Sequence, residues 1–331
     1  MLNMASSSVP CDTLMICHPS MSILAKKIND LVAKSQGKRI VFKEDIHWKF
    51  FEDGYPNIFI DNIEECSGKH VIYLGSFYSP SVVFEQLSVL YALPKYSVRS
   101  LTFVLPFFPT GTMERVDTEG QIATASTTAR LLSATPLTAM GPTQLLTYDI
   151  HALQERFYFT DNIIPRLMSA VPRFLQEVKT LKNANEKVAI AFPDEGAHKR
   201  FHTYFKDFPV IRCIKRRRGK DREITIVDGN PENHHVIIVD DLVNTGGTVL
   251  ECISCMKSAK ASKVSVYVTH PVFPRDSWKK FIHAEENLNT PHMFWITDSL
   301  PHALEIVKYK PFQLISLAPS ICAALGVDIP E

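Results

Sequence analysis

Four consecutive β-branched residues, Val236-Ile237-Ile238-Val239, run straight into Asp240-Asp241-Leu242-Val243-Asn244-Thr245-Gly246-Gly247-Thr248. A strand without polar alternation must be buried on both faces, and the apolar stretch 249–259, free of Gly and Pro, reads as a helix after the turn. This order predicts a mainly parallel α/β sheet with helices on both sides. The remainder of the chain repeats the pattern. Strands are expected over 14–18, 39–43, 57–61, 71–75, 101–106 and 144–150, with helices over 21–35, 82–91 and 120–133. A Pro-containing stretch at 160–172 reads as a linker. Beyond it come helices over 173–182 and 197–204, and strands over 187–192, 210–215, 223–227, 264–269, 294–297 and 313–317. Two similar α/β domains are the simplest inference.

In open α/β sheets ligands bind beyond the carboxyl ends of strands, so the turn at 240–248 carries the functional weight. Gly246 and Gly247 let the backbone approach a ligand, Thr245 and Thr248 add hydroxyl donors, and the helix N-terminus favours a phosphate monoester. Asp240 and Asp241 would repel a phosphate. They suit hydrogen bonds from vicinal sugar hydroxyls or a divalent cation, so the stretch describes a ribose 5-phosphate cradle.

Three other clusters stand out. Asp194-Glu195-Gly196-Ala197-His198 is a second strand-to-helix turn, suited either to pyrophosphate with a bridging cation or to plain helix capping by Asp194. His151 ends a strand behind Asp149, where a ring nitrogen could meet a metal or a phosphate, although a lone His there is commonly structural. Lys215-Arg216-Arg217-Arg218-Gly219-Lys220 is the densest positive run. Alone it reads as a solvated hairpin tip; beside a polyphosphate site it could close over the transferring group. Cys252 and Cys255 form a lone Cys-x-x-Cys on a helix and read as small buried residues. Neither a P-loop nor a dinucleotide fingerprint occurs.

The 331 residues suffice for two domains. A net charge of +1 creates no field that would recommend a nucleic-acid partner. The apolar run 101–108 is broken by Pro106 and falls short of the ~18 residues of a membrane span. Seven scattered cysteines fit a reducing compartment, and residues 1–12 lack the basic and apolar segments of a targeting peptide, so a disordered leader and a cytoplasmic location are expected.

The stretch 236–248 resembles the phosphoribosyl-binding motif shared by type I phosphoribosyltransferases and ribose-phosphate pyrophosphokinases. Phe51-Glu52-Asp53-Gly54, Pro106–Pro109, Asp149-Ile150-His151-Ala152, Pro193–Arg200, Lys215–Arg217 and Val239–Thr248 follow the pyrophosphokinase order and spacing over nearly everything after residue 13. The wording Phe107-Phe108-Pro109-Thr110-Gly111 and His151-Ala152-Leu153-Gln154-Glu155-Arg156-Phe157 is similar to the plant-type, phosphate-independent branch.

This resemblance implies an α/β protein of two similar type I phosphoribosyltransferase-like domains, each a mainly parallel sheet flanked by helices. Residues 13–165 would form the nucleotide-side domain and 166–316 the ribose 5-phosphate domain, with 317–331 packing on the first. It implies transfer of the diphosphoryl group of ATP to ribose 5-phosphate, with Mg²⁺ as cofactor, in a homo-oligomer. Residue by residue, Lys215 and Arg217 look like the catalytic cations. Asp240, Asp241, Asn244, Thr245, Gly246, Gly247 and Thr248 match the ribose 5-phosphate loop, and Asp194, Glu195, Gly196, Ala197 and His198 the pyrophosphate loop. Phe51, Asp53, Tyr55, Arg115 and His151 fall on the ATP side, and His151 with Asp194 on the metal. The chain departs from the pattern at Tyr55, where many members have Glu, at Thr112 (Arg), at Asn244 (Asp) and at Ser67, where phosphate-activated members carry an allosteric Arg; Arg115 stands near enough in sequence to replace the Arg missing at 112. A nucleobase phosphoribosyltransferase and a non-catalytic regulatory subunit are the alternatives.

Overall fold

The structure is a computed structural model that describes residues 12–35, 39–109, 113–184, 186–218, 221–282 and 290–328; for Asn183, Arg216, Arg217, Arg218, Asp221, Arg222 and Glu223 it describes the backbone alone. Contacts divide the chain into two units, one of residues 1–147, 152–166 and 318–331, the other of 148–151 and 167–317.

The first unit begins with β1 (Thr13–Cys17), α1 (Ser22–Lys34), β2 (Val41–Phe42), β3 (Ile46–Phe50) and β4 (Pro56–Ile60), followed by β5 (His70–Leu74), α2 (Pro80–Ala92) and β6 (Ser100–Val104). It continues through α3 (Thr124–Ser133), β7 (Thr143–Tyr148) and β8 (Ile163–Met168), the last two elements running over its boundary. Its six-stranded sheet has the order β2-β1-β5-β6-β7-β8. The β1/β5 register is parallel, Leu14 opposite Val71 and Ile16 opposite Tyr73. α1 is amphipathic: Leu24, Ala25, Ile28 and Val32 recur at helical spacing and are buried.

Two elements before residue 169 differ from the sequence expectation. The stretch read as a linker contains β8, which lies at the edge of the sheet, the one place where a strand tolerates Pro165. Residues 46–50 form a strand that had no counterpart in the reading, and β3 pairs with β4 in a separate antiparallel ribbon rather than joining the parallel sheet. Its sides alternate between half-buried and exposed; Phe59 lies on the exposed side with His47, while Phe50, opposite Pro56 on the other side, is exposed at the strand end.

The second unit runs α4 (Val171–Asn183), β9 (Val188–Phe192), α5 (Glu195–Phe201), β10 (Val210–Arg218), β11 (Asp221–Asp228), β12 (His235–Val243) and α6 (Gly247–Ser258). It ends with β13 (Lys263–Pro271), β14 (Phe294–Thr297), α7 (Ala303–Ile306) and β15 (Phe312–Ile315). The sheet order is β11-β10-β9-β12-β13-β14-β15; among the pairings only β10/β11 is antiparallel. β12 is central, and its side chains alternate between two cores. Val236 and Ile238 pack with Val249, Cys252 and Met256 of α6 on one face, while Ile237 and Val239 pack with Phe174, Phe201 and Tyr267 on the other. All four are fully buried, each worth about 1.5–3 kcal/mol of transfer free energy. Cys252 thus belongs to the core, as its Cys-x-x-Cys was expected to.

The chain then reaches α8 (Ala318–Ala324), which groups with the first unit and packs on α1, the Cys322 thiol donating to the Ile28 carbonyl at 3.9 Å.

Candidate active site

β12 delivers Asp240 and Asp241 to the carboxyl end of the second sheet, and Asn244–Gly246 turn the chain into α6. Gly246 caps that helix in the left-handed conformation, φ +84°, and a Cβ there would stand 2.6 Å from the Phe281 ring, so this position admits only glycine. Around Gly247 a Cβ would meet nothing within 4 Å. The helical segment Pro274–Phe281 fixes the turn from behind: Ser277 Oγ donates to the Asn244 carbonyl at 3.2 Å and Lys280 Nζ to the Thr245 carbonyl at 3.1 Å. In a trans peptide the C=O and the following N–H point opposite ways, so the amides of Thr245 and Gly246 face away from those donors. The first-turn amides of α6 join them, having no intrahelical acceptor. Asn244, Thr245 and Gly247 are exposed, and Thr248 is half-buried.

The two carboxylates differ sharply. Asp241 is buried; its Oδ2 receives His151 Nδ1 at 2.6 Å and its Oδ1 the Leu242 amide at 2.8 Å. Burial pushes the Asp241 carboxyl up, but the His151 hydrogen bond and charge, with Asp240 and Arg200, outweigh it and hold the group below the usual carboxylate range. Asp240 is pushed well above that range by burial, then by the negative charges of Asp241 and Asp194. The Nδ1 bond to Asp241 sets the direction of the His151 ring.

Asp194 is the N-cap of α5, its Oδ1 accepting from the Ala197 amide at 3.0 Å. The capping alternative is therefore satisfied, and the same carboxylate is near enough to Asp240 to raise it. Glu195 pairs with Lys199 across one helical turn at 2.8 Å, and Gly196 is exposed. The His198 ring stacks on His202 at 4.8 Å between centroids, and burial with the His202 charge depresses its basicity. His151, Asp194, Asp240 and Asp241 thus form one acidic centre with a histidine on it; the direct partner of His151 is Asp241 rather than Asp194.

Lys215 lies exposed on β10, opposite Ile224 of β11. Position 217 pairs with Arg222 in the same antiparallel ladder, and the Arg217 side chain lies outside the described residues.

In the first unit, residues 51–55 are the turn between β3 and β4. Asp53 Oδ1 accepts from the Tyr55 amide at 3.1 Å, Gly54 has φ +85°, and the Tyr55 ring meets Phe84 edge-on at 6.3 Å. Phe51 and Tyr55 are more than half exposed. Arg115 is exposed and stands 3.2 Å from Asp117. Thr112 lies outside the described residues.

Sequence reasoning gave no role to Asp149, Arg200 or Thr269. The Arg200 guanidinium donates to the His151 carbonyl at 3.0 Å and Thr269 Oγ1 donates to Asp149 Oδ2 at 2.7 Å. The available signal was the position of Asp149 and Thr269, each at the end of an expected strand run.

Comparison with known proteins places this geometry. The family model described as the N-terminal domain of ribose phosphate pyrophosphokinase matches residues 15–135, and that described as a phosphoribosyl transferase domain matches 162–299. Ribose-phosphate pyrophosphokinase 3, mitochondrial, of Spinacia oleracea is 50% identical over 303 residues, covering 89% of this chain and 74% of that protein. Ribose-phosphate pyrophosphokinase 4 of Oryza sativa subsp. japonica is 49% identical over 287 residues, 86% of this chain and 88% of that protein. The crystal structure of phosphoribosylpyrophosphate synthetase from Mycobacterium smegmatis shares the fold, with a TM-score of 0.78 at 18% identity, covering 95% of this chain and 98% of that one. Fold and motifs define a protein of two phosphoribosyltransferase-type domains, each a mostly parallel sheet flanked by helices. Within that class the chain belongs to the ribose-phosphate pyrophosphokinase family, enzymes that transfer a diphosphate group.

Proposed function

We propose that the chain transfers the diphosphoryl group of ATP to the C1 hydroxyl of ribose 5-phosphate, producing phosphoribosyl pyrophosphate and AMP. The observation that carries this reading is the turn at 240–248, with amides turned outward beyond a carboxylate pair that His151 engages. The amides of Thr245 and Gly246 and the N-terminus of α6 take the 5-phosphate, and the space about Gly247 lets it approach. Asp240 and Asp241 accept from the sugar hydroxyls and align the C1 oxygen on the β-phosphorus, where positioning and charge neutralisation supply most of the rate.

Mg²⁺ fits this acidic centre. Beyond burial, the charges of Asp241 and Asp194 push the Asp240 carboxyl up, and that repulsion is what a divalent cation relieves. When bound, the ion would supply charge neutralisation at the polyphosphate; Asp194 and His151 would hold it. The amides of Glu195 and Gly196, ahead of the Ala197 amide that Asp194 holds, receive the diphosphoryl oxygens, and Lys215 and Arg217 balance charge in the transition state. Phe51, Asp53 and Tyr55 hold the adenine, and Arg115 takes part of the triphosphate charge.

The experiment is AMP release from ATP, ribose 5-phosphate and Mg²⁺, with and without inorganic phosphate. No AMP under either condition would sink the reading. Lys215→Ala or Arg217→Ala should lower kcat by roughly 10²-fold or more with a smaller change in KM; wild-type turnover would remove them from the machinery. Asp241→Ala should chiefly weaken ribose 5-phosphate binding in calorimetry. Tyr55 and Asn244, departures within the site itself, favour as second reading a non-catalytic subunit that binds ribose 5-phosphate without releasing AMP. A homo-oligomer is proposed on the family resemblance, checked by light scattering. No helix among the described residues is long and apolar enough to cross a membrane. We propose a cytoplasmic location; since relatives from Spinacia oleracea and Arabidopsis thaliana carry mitochondrial and chloroplastic names, a fluorescent fusion in an organelle would correct it.

A further inference from the structure

We infer that Arg200 is a positioning residue that holds His151 on the Asp241 carboxylate, an inference that rests on the function proposed above. The His151 ring is 37% exposed, so no tight packing shell aims it. Its direction depends on its backbone, and that backbone is unusual. Asp149, two residues earlier, is buried with φ +33°, a conformation side-chain-bearing residues avoid and surrounding contacts must hold.

Those contacts converge from three segments of the chain. Asp149 Oδ2 accepts from Thr269 Oγ1 of β13 at 2.7 Å and from the Ala170 amide at 2.9 Å; the Asp149 amide donates to the Met168 carbonyl at 2.9 Å. His270 Nε2 donates to the Tyr148 carbonyl at 2.9 Å. Arg200 closes the set from α5: Nη1 donates to the His151 carbonyl at 3.0 Å, and Nη2 stands 4.0 Å from Asp149 Oδ1. The Arg200 side chain is 15% exposed, and besides the charge it adds near Asp241 its terminal nitrogens reach residues 149 and 151. α5 also starts at Asp194, so one short helix carries both the cap beside the acidic centre and the clamp on its histidine.

Two readouts test this in the full chain. Arg200→Ala should lower kcat by ~10- to 100-fold, the usual size of an orienting contact's loss, with the KM for ribose 5-phosphate within about threefold of wild type. Arg200→Lys, which retains charge and one donor, should recover part of the loss. In a His151→Ala background, Arg200→Ala should cost less than about threefold more, because the two residues act as one unit. Equal losses in both backgrounds would mean that Arg200 acts independently of His151 and would overturn the inference. Independently of activity, ring-nitrogen NMR of wild type should show His151 protonated at Nδ1, and Arg200→Ala should average that signal toward mixed tautomers; an unchanged ring signal would also overturn it. Should Arg200→Ala fail to fold, Arg200→Lys carries both comparisons. If wild type releases no AMP, the proposed function fails while the ring signal still decides the role of Arg200.

Discussion

Gly246 and Gly247 sit side by side but answer to different neighbours. At 246 the left-handed backbone and the Phe281 ring both forbid a side chain, so Gly246→Ala should cost about 1–3 kcal/mol for backbone strain alone, read as a lower Tm. At 247 the backbone is helical and a methyl would enter open space, so Gly247→Ala should keep or slightly raise the Tm. If the 5-phosphate occupies that space, the same change weakens ribose 5-phosphate binding by ~10-fold or more, one decade being 1.4 kcal/mol. Calorimetry showing wild-type affinity for Gly247→Ala would place the phosphate elsewhere. The sequence showed both glycines as a pair; only the position of Phe281, 35 residues away, tells them apart.

At the scale of elements, α5 shows how one carboxylate can serve two purposes. Asp194→Asn keeps an oxygen that can cap the helix and removes the charge, whereas Asp194→Ala removes both. The Asn variant should therefore keep its Tm while AMP release drops by ~100-fold, and the Ala variant should in addition lose about 0.5–2 kcal/mol of stability. Equal activity in Asn and wild type would leave Asp194 as a cap alone. The strand, turn and helix at 236–258 were legible because burial on both faces, the acid pair and the glycines are local features of sequence. The Arg200 clamp was not, since it joins residues 49 apart through a backbone carbonyl, which leaves no trace in residue type. β8 was hidden because Pro165 signals a break everywhere except on the sheet edge it occupies.

On the scale of the whole molecule, acid sensitivity follows from buried imidazoles. Burial lowers the basicity of His18, His235, His270 and His302, in the first two against the opposing pull of Glu85 and Glu186. In the unfolded chain these rings take protons near pH 6.5. Below that pH the unfolded state binds more protons than the folded one, so stability falls as pH drops from about 6.5 toward the depressed folded values. The Tm should decline steadily from about pH 7 to pH 5.5; a flat or rising profile would mean that the rings are charged in the folded protein. The return of α8 to α1 has a consequence for synthesis. α1 emerges early from the ribosome, but α8, which packs on it, is made about 150 residues after the chain leaves the first unit, roughly 8 to 30 s later at ordinary elongation rates. During that interval a nascent chain lacks the helix that packs on α1, and a translational stall anywhere between residues 167 and 317 prolongs it.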